Sequence, residues 1–273
     1  MDTKYATLSN GVNIPILGFG TYEIEDNQLV AELVEEALKV GYRHIDTASI
    51  YKNEQGIGQG LKKSDIPRKE IFVTSKLWNP KQGYDSTLRE FDLSLEKLQI
   101  DYMDLYLIHW PKGELSKESW RAIERIYKEG RVRAIGVSNF QIYHLEDLFT
   151  ACEIKPMINQ IELHPYLTQQ PLRDFCKKHN ILVEAWSPLM RGGIFEIPLL
   201  QQLSEKYNRT IAQIVLKWDV QLDIATIPKS VRVDRIKENF QIFDFELSDG
   251  DVLAISALNI DKRIGPDPDN FNF

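Results

Sequence analysis

An aspartate, a tyrosine and a lysine lie around two apolar runs near the start of the chain, Arg43-His44-Ile45-Asp46-Thr47-Ala48-Ser49-Ile50-Tyr51 and Ile71-Phe72-Val73-Thr74-Ser75-Lys76. Asp46 and Lys76 both close short β-prone segments. A lysine that ends one strand beside a carboxylate from the next can stay charged, and its charge can lower the pKa of a nearby tyrosine. Tyr51 is then usable as a proton donor. Taken singly, Asp46 reads as a helix cap or loop acid, Lys76 as a solvated lysine and Tyr51 as a ring packed on a rim. Their joint placement is what points to chemistry.

The elements that must position them follow a rhythm: an apolar run of four to seven residues, then an amphipathic stretch of ten or more, eight times over. Before it, residues 5–16 read as a hairpin around Ser9-Asn10-Gly11, a type I′ turn signal, leading into 16–21. The first helix, 27–40, carries Leu29, Leu33, Val34, Ala37 and Leu38 on one face and ends at Gly41. Further strands are predicted at 43–47, 71–75, 103–108, 133–137, 157–161, 182–186 and 224–227. Helices are predicted around Gly56, Gly58 and Gly60 and at about 86–98, 119–128, 144–150, 171–178, 198–206, 211–220, 235–240 and 249–258, with little structure in the tail beyond them. Eight strand-helix units without a linker predict a closed parallel (β/α)8 TIM barrel, residues 1–273 as one domain, with an N-terminal hairpin and extra C-terminal helices.

In such barrels chemistry sits where strands end and βα loops begin. Here the strand ends carry Asp46, Lys76, His109, Asn139, Gln160, Ser187 and Lys229, a series with one phase. His109 ends an apolar run before Trp110-Pro111, which favours the barrel mouth over the core. Tyr22, Trp78 and Trp110 lie just beyond strand ends and Trp186 ends one, which suits an apolar pocket with a few polar groups.

Composition narrows the classes. With 43% apolar and 27% charged residues and a formal net charge of −7, the chain reads as globular, and attachment to nucleic acid or an anionic membrane is not expected. Cys152 and Cys176 have neither metal-ligand spacing nor a disulfide framework, so no metal is expected. No signal core or membrane span is visible, so a cytoplasmic location is expected. A monomer is expected as well. Gly18-Phe19-Gly20 lacks the third glycine of a dinucleotide fingerprint, and Gly56-Ile57-Gly58-Gln59-Gly60 does not follow a strand, which argues against a Rossmann site. The stretch from Ile227 to Asn239 is a basic patch in an acidic protein. Lys229, Ser230 and the following helix start form an anion site there, with Arg235 able to grip a phosphate.

These residues together resemble the aldo-keto reductase family across nearly the whole chain. The matching segments are Leu17-Gly18-Phe19-Gly20-Thr21, Gly41 to Ala48, Leu105-Tyr106-Leu107-Ile108-His109-Trp110-Pro111, Gly136 to Phe140, Asn159 to Pro165 and Ile227-Pro228-Lys229-Ser230. The resemblance implies a tetrad of Asp46, Tyr51, Lys76 and His109. Tyr51 would protonate a carbonyl oxygen as hydride arrives from a nicotinamide, Lys76 with Asp46 would make it more acidic, and His109 would orient the oxygen. Ser138, Asn139 and Gln160 match contacts to the carboxamide, Trp186 the stacking aromatic, and Ser187 and Leu189 pyrophosphate contacts. Lys229, Ser230 and Arg235 match the grip on a 2′-phosphate, Glu238 and Asn239 the adenine contacts, and Gly20, Thr21 and Val231 lie in matching cofactor segments. NADPH is thereby favoured over NADH. Tyr22, Trp78, His109 and Trp110 are the expected substrate contacts, and the bacterial branch that reduces diketo-gluconates and glyoxals is the nearest pattern. Arg232 and Met190 depart from it, the latter in the loop over the cofactor.

Two rival readings use the same residues. One is a non-catalytic NADPH-binding regulatory subunit, and the other a lyase with Lys76 as a Schiff-base nucleophile.

Overall fold

The computed structural model describes residues 3–273. Two short strands, β1 (Tyr5–Thr7) and β2 (Asn13–Pro15), pair antiparallel as the predicted hairpin. Its turn differs from expectation. A type I′ turn needs positive φ at both central residues, and only Gly11 is there, at φ 85°. Gly11 N donates to Leu8 O at 2.8 Å, so Ser9 and Asn10 make an ordinary turn and Gly11 adds a left-handed bulge. The Asn10 amide instead reaches Arg133 O at 2.9 Å, which ties the hairpin to the start of a barrel strand.

Eight strands among the described residues form one parallel sheet: β3 (Phe19–Gly20), β4 (His44–Asp46), β5 (Phe72–Leu77), β6 (Met103–Ile108), β7 (Val132–Ser138), β8 (Ile158–Glu162), β9 (Leu182–Trp186) and β10 (Ala225–Thr226). They neighbour one another in chain order, and the ends meet through a parallel bridge between Leu17 and Thr226. Thr226 N donates to Ile16 O at 2.8 Å and Gly18 N to Thr226 O at 2.9 Å, closing the predicted barrel. Every residue of β5 and β6 is buried, Thr74, Ser75, Lys76 and Asp104 included, as in strands covered on both faces.

The covering layer alternates with the strands: α1 (Asn27–Val40), α2 (Glu54–Lys63), α3 (Tyr84–Leu98), α4 (Glu114–Lys128), α5 (Ile142–Phe149), α6 (Gln170–Lys178), α7 (Pro198–Tyr207), α8 (Ile211–Gln221), α9 (Val233–Phe240) and α10 (Asp249–Ser256). Asp26 caps α1 by accepting from Gln28 N and Leu29 N, and Val30, Leu33, Val34, Ala37 and Leu38 form its buried face. Leu29, expected on that face, falls at its edge and is 38% exposed. The helix predicted from Ser119 begins at Glu114. Its first turn is polar, and Ser116 Oγ accepts from Lys112 N at 2.7 Å, so no apolar period marks the start.

Candidate active site

Parallel pairing sets Asp46 of β4 and Lys76 of β5 in the same inward phase. Lys76 Nζ donates to Asp46 Oδ1 at 2.6 Å and to Thr47 O at 2.8 Å, with both side chains buried. The other carboxylate oxygen, Oδ2, accepts from Gln160 Nε2 of β8 at 2.8 Å. Gln160 gives its second amide hydrogen to Glu184 Oε2 of β9 at 2.6 Å. Burial raises the Asp46 carboxyl above its usual range, against the opposing pull of Lys76 and Gln160.

Tyr51 ends a 3-10 turn, Ser49–Tyr51, that leaves β4, and Ser49 Oγ anchors the turn to Lys76 O at 3.0 Å. Its ring stands edge-on to His109, with centroids 5.8 Å apart, and 5.0 Å from the Tyr22 ring. The Lys76 ammonium is 5.2 Å from the Tyr51 ring centroid. A lowered tyrosine pKa was expected, and the direction is the opposite. Burial, then the negative charge of Asp46 and then Tyr22 push the Tyr51 phenol well above its usual value. The Lys76 ammonium, meanwhile, is turned onto Asp46 and Thr47. His109 is held neutral, its pKa driven well down by burial and then by Lys76.

These groups form the floor of one cleft of about 620 Å³, a size suited to a small-molecule site. Asp46, Tyr51 and His109 line it with Gly20, Thr21, Tyr22, Trp78, Trp110, Ser138, Asn139, Gln160, Trp186, Ser187, Leu189, Lys229, Ser230, Val231, Arg235, Glu238 and Asn239. All the predicted site residues therefore meet there except Lys76, which lies behind the floor and reaches the cleft through Asp46. Asn139 and Ser187, at the ends of β7 and β9, hold φ of 65° and 51°, uncommon for non-glycine residues and typical of functional loops. Asn139 Oδ1 accepts from Trp186 Nε1 at 2.8 Å, and its Nδ2 donates to His109 O at 2.9 Å, so one amide fixes both the indole and the histidine backbone.

The donor set suits a phosphorylated dinucleotide. Lys229, Ser230 and Arg235 bring cationic and hydroxyl groups to the cleft, and an indole plane and the Gln160 and Asn139 amides line it too. Glu23 is 3.7 Å from Lys229 and 4.0 Å from Arg191 across the cleft. Arg232 also lines the cleft, but it is exposed and forks onto Asp234. Met190 takes φ 49° with its side chain buried, so the loop accommodates the larger residue in a left-handed turn.

Three contributions escaped the sequence reading. Glu184 is an acid between Val183 and Ala185 in an apolar strand, and its inward phase was the available signal. Phe273 stacks on Trp78 at 5.4 Å and Phe271 packs on Trp110 at 5.1 Å, so the tail builds a pocket wall. Glu162 Oε1 accepts from Ile264 N at 2.6 Å and Gly265 N at 3.2 Å, drawing residues 264–265 over Trp186. A Cβ at position 265 would stand 2.4 Å from Trp186 Cη2, which is why glycine occupies it.

This barrel with its cleft at the strand ends is that of a recognised family: the aldo/keto reductase family model matches residues 16–260. The chain belongs to the aldo/keto reductase family. It is 54% identical over 266 residues to a glyoxal reductase of Bacillus subtilis (strain 168), covering 97% of this chain and 96% of the relative. It is 51% identical over 268 residues to a 9,11-endoperoxide prostaglandin H2 reductase of Trypanosoma cruzi (strain CL Brener), covering 97% and 95%. A crystal structure of a Gox0644 mutant in complex with NADPH superposes with a TM-score of 0.95 at 42% identity, covering 100% of both chains. Among the described residues no group of three His, Cys, Asp or Glu could hold a metal, and no helix is long and apolar enough to cross a membrane.

Proposed function

We propose that the chain is an NADPH-dependent reductase of aldehydes and ketones, working as one barrel domain over the described residues 3–273. The observation that carries this is the meeting of Tyr51 and His109 in one cleft that Lys229, Ser230 and Arg235 also line. A reduced nicotinamide, when bound, supplies the hydride. Tyr51 donates a proton to the carbonyl oxygen. Its raised pKa keeps that proton in place before reaction, and an alkoxide is a stronger base than a phenolate, so transfer becomes downhill as charge develops. Neutral His109 lies against the Tyr51 ring and orients the oxygen as a hydrogen-bond donor. Lys76, fixed by Asp46, supplies positive charge behind the phenol as it loses its proton.

Gln160, Ser138 and Asn139 hold the carboxamide, and Trp186, locked by Asn139 and Gly265, presents the stacking face. Ser187 and Leu189 meet the pyrophosphate, and Gly20, Thr21 and Val231 complete the groove. Lys229, Ser230 and Arg235 hold the 2′-phosphate, with Glu238 and Asn239 at the adenine. The substrate pocket is Tyr22, Trp78, His109 and Trp110, with Phe273 added. An aromatic wall and two hydrogen-bonding groups suit small carbonyls such as glyoxals, in keeping with the name of the Bacillus relative. The Trypanosoma relative carries a different substrate in its name, so similarity supports the reduction more firmly than the substrate. With free Cys152 and Cys176 and an acidic net charge, we read the protein as a cytoplasmic monomer.

The binding-subunit reading has the same cleft in its favour, and turnover separates the two. The lyase reading lacks a free amine, because Lys76 is buried and donates to Asp46 and Thr47. The test is NADPH oxidation by purified protein against methylglyoxal, a keto-sugar and an aromatic aldehyde. Turnover of at least one supports the reductase, while tight NADPH binding with no turnover supports the subunit.

A further inference from the structure

Beneath the tetrad lies a second carboxyl group that the proposed chemistry does not use. Glu184 sits at the centre of β9, in register with Gln160 of β8 and Ala225 of β10, and is fully buried. We propose that Glu184 is a positioning residue that works as a neutral carboxylic acid, and that its ionisation switches off the proton donor above it by placing a second negative charge beside Asp46.

Charge counting leads to this reading. The groups facing Glu184 are Asp46 and His44 of β4 and Lys76 of β5, together with the uncharged Gln160 amide. Lys76 is the one ammonium, and it is spent on Asp46 and Thr47. Gln160 Nε2 donates to both carboxyl groups at once, to Asp46 at 2.8 Å and Glu184 at 2.6 Å. Two ionised carboxylates on one amide nitrogen, with one cation between them, would leave a buried charge without a partner.

Two orphaned atoms leave room for one proton between them. Glu184 Oε1 and His44 Nδ1 are buried, have no hydrogen-bond partner and face each other at 3.6 Å. That distance exceeds hydrogen-bond reach, and a proton on Oε1 gives both atoms a partner after a small approach. The histidine is suited to accept. Its Nε2 already meets Thr74 Oγ1 at 3.0 Å, and burial, then Lys76, hold its pKa down to about 3, partly opposed by the Pro15 carbonyl. Burial first, then the charge of Asp46, push Glu184 up to about 8. It is therefore protonated near neutrality and loses its proton in a mildly basic solution.

Two consequences reach the cleft. With both amide hydrogens of Gln160 taken, its Oε1 is the atom left for a ligand, so Glu184 fixes which way that amide presents itself. And because Asp46 already holds the Tyr51 proton more tightly, a second charge beside it tightens that hold further and slows proton donation.

The test is Glu184→Gln, whose amide nitrogen can donate to His44 Nδ1 as the acid would, so the variant should fold. The infrared difference between the native protein and E184Q should show a protonated-carboxyl C=O band near neutral pH that disappears above about pH 8, apart from the band of buried Asp219 that both proteins share. The kinetic arm rests on the reductase reading. The native kcat should fall on the basic side with an apparent pKa near 8, and E184Q should lose that limb while keeping kcat at neutral pH within about threefold. An unfolded E184Q, a neutral-pH spectrum identical to that of E184Q, or the same basic limb in both proteins would each overturn the proposal. If no carbonyl is turned over, the infrared band still reads Glu184 alone, which keeps the two failures apart.

Discussion

Lys76 Nζ and Asp46 Oδ1 are 2.6 Å apart, with 0% and 3% of their side chains exposed. A pair this deep is costly to form and costlier to break, because removing one member strands the other charge. Lys76→Met should destabilise the protein by about 3–5 kcal/mol, read as a lowered urea midpoint. The sign of its pH dependence follows from Asp46. Without Lys76 its folded pKa rises further above the unfolded value, so the loss is small in acid, where both states are protonated. It grows as pH rises through the folded pKa. Pairing Lys76→Met with Asp46→Leu should recover part of the loss, and full additivity of the two substitutions would contradict the pairing.

Lys229 and Arg235, which line the same cleft, are the proposed grip on a 2′-phosphate, which only the phosphorylated dinucleotide carries. Lys229→Ala or Arg235→Ala should weaken NADPH binding by about tenfold to a hundredfold and NADH binding by less than about twofold. Fluorescence titration with each dinucleotide checks it, and equal losses for both would remove these residues from that role. Glu23, 3.7 Å from Lys229, competes for the same cation. Because that pair is exposed, Glu23→Gln should tighten NADPH by about fivefold at most.

Trp186 is held from two sides, by Asn139 at its Nε1 and by the backbone of Gly265 against its ring. Gly265→Ala adds a Cβ 2.4 Å from Cη2 and must displace either the indole or residues 264–265, which Glu162 pins. The expected result is a rise of about fivefold or more in the Kd for NADPH with little change in melting temperature. Quenching of tryptophan fluorescence by the cofactor should fall in parallel, and unchanged binding would mean that the strand end alone positions the indole.

How far the sequence carried depended on whether a feature was local. The eight-fold alternation marked the barrel because each strand and helix shows its period within about ten residues. Asp46, His109 and Gln160 were legible because strand ends share one phase and that phase lines one cleft, with Lys76 paired to Asp46 just behind it. The direction of the Tyr51 pKa was not legible. It is set by burial first and then by the charge of Asp46, facts that exist only after packing. Glu184 was overlooked for a related reason, since its partner His44 is 140 residues away in the chain. The tail, predicted to have little structure, gave no periodic signal, yet Phe271 and Phe273 find Trp110 and Trp78 in space.

The most direct test of the account is Tyr51→Phe, which removes one hydroxyl and keeps the ring that packs on His109 and Tyr22. NADPH oxidation with methylglyoxal and NADPH binding are measured on the same preparation. The account predicts a loss of at least about a hundredfold in kcat, as expected for a missing general acid, with the Kd for NADPH within about twofold of native. A variant that binds NADPH and turns over at the native rate would contradict it, because the proton would then come from another group.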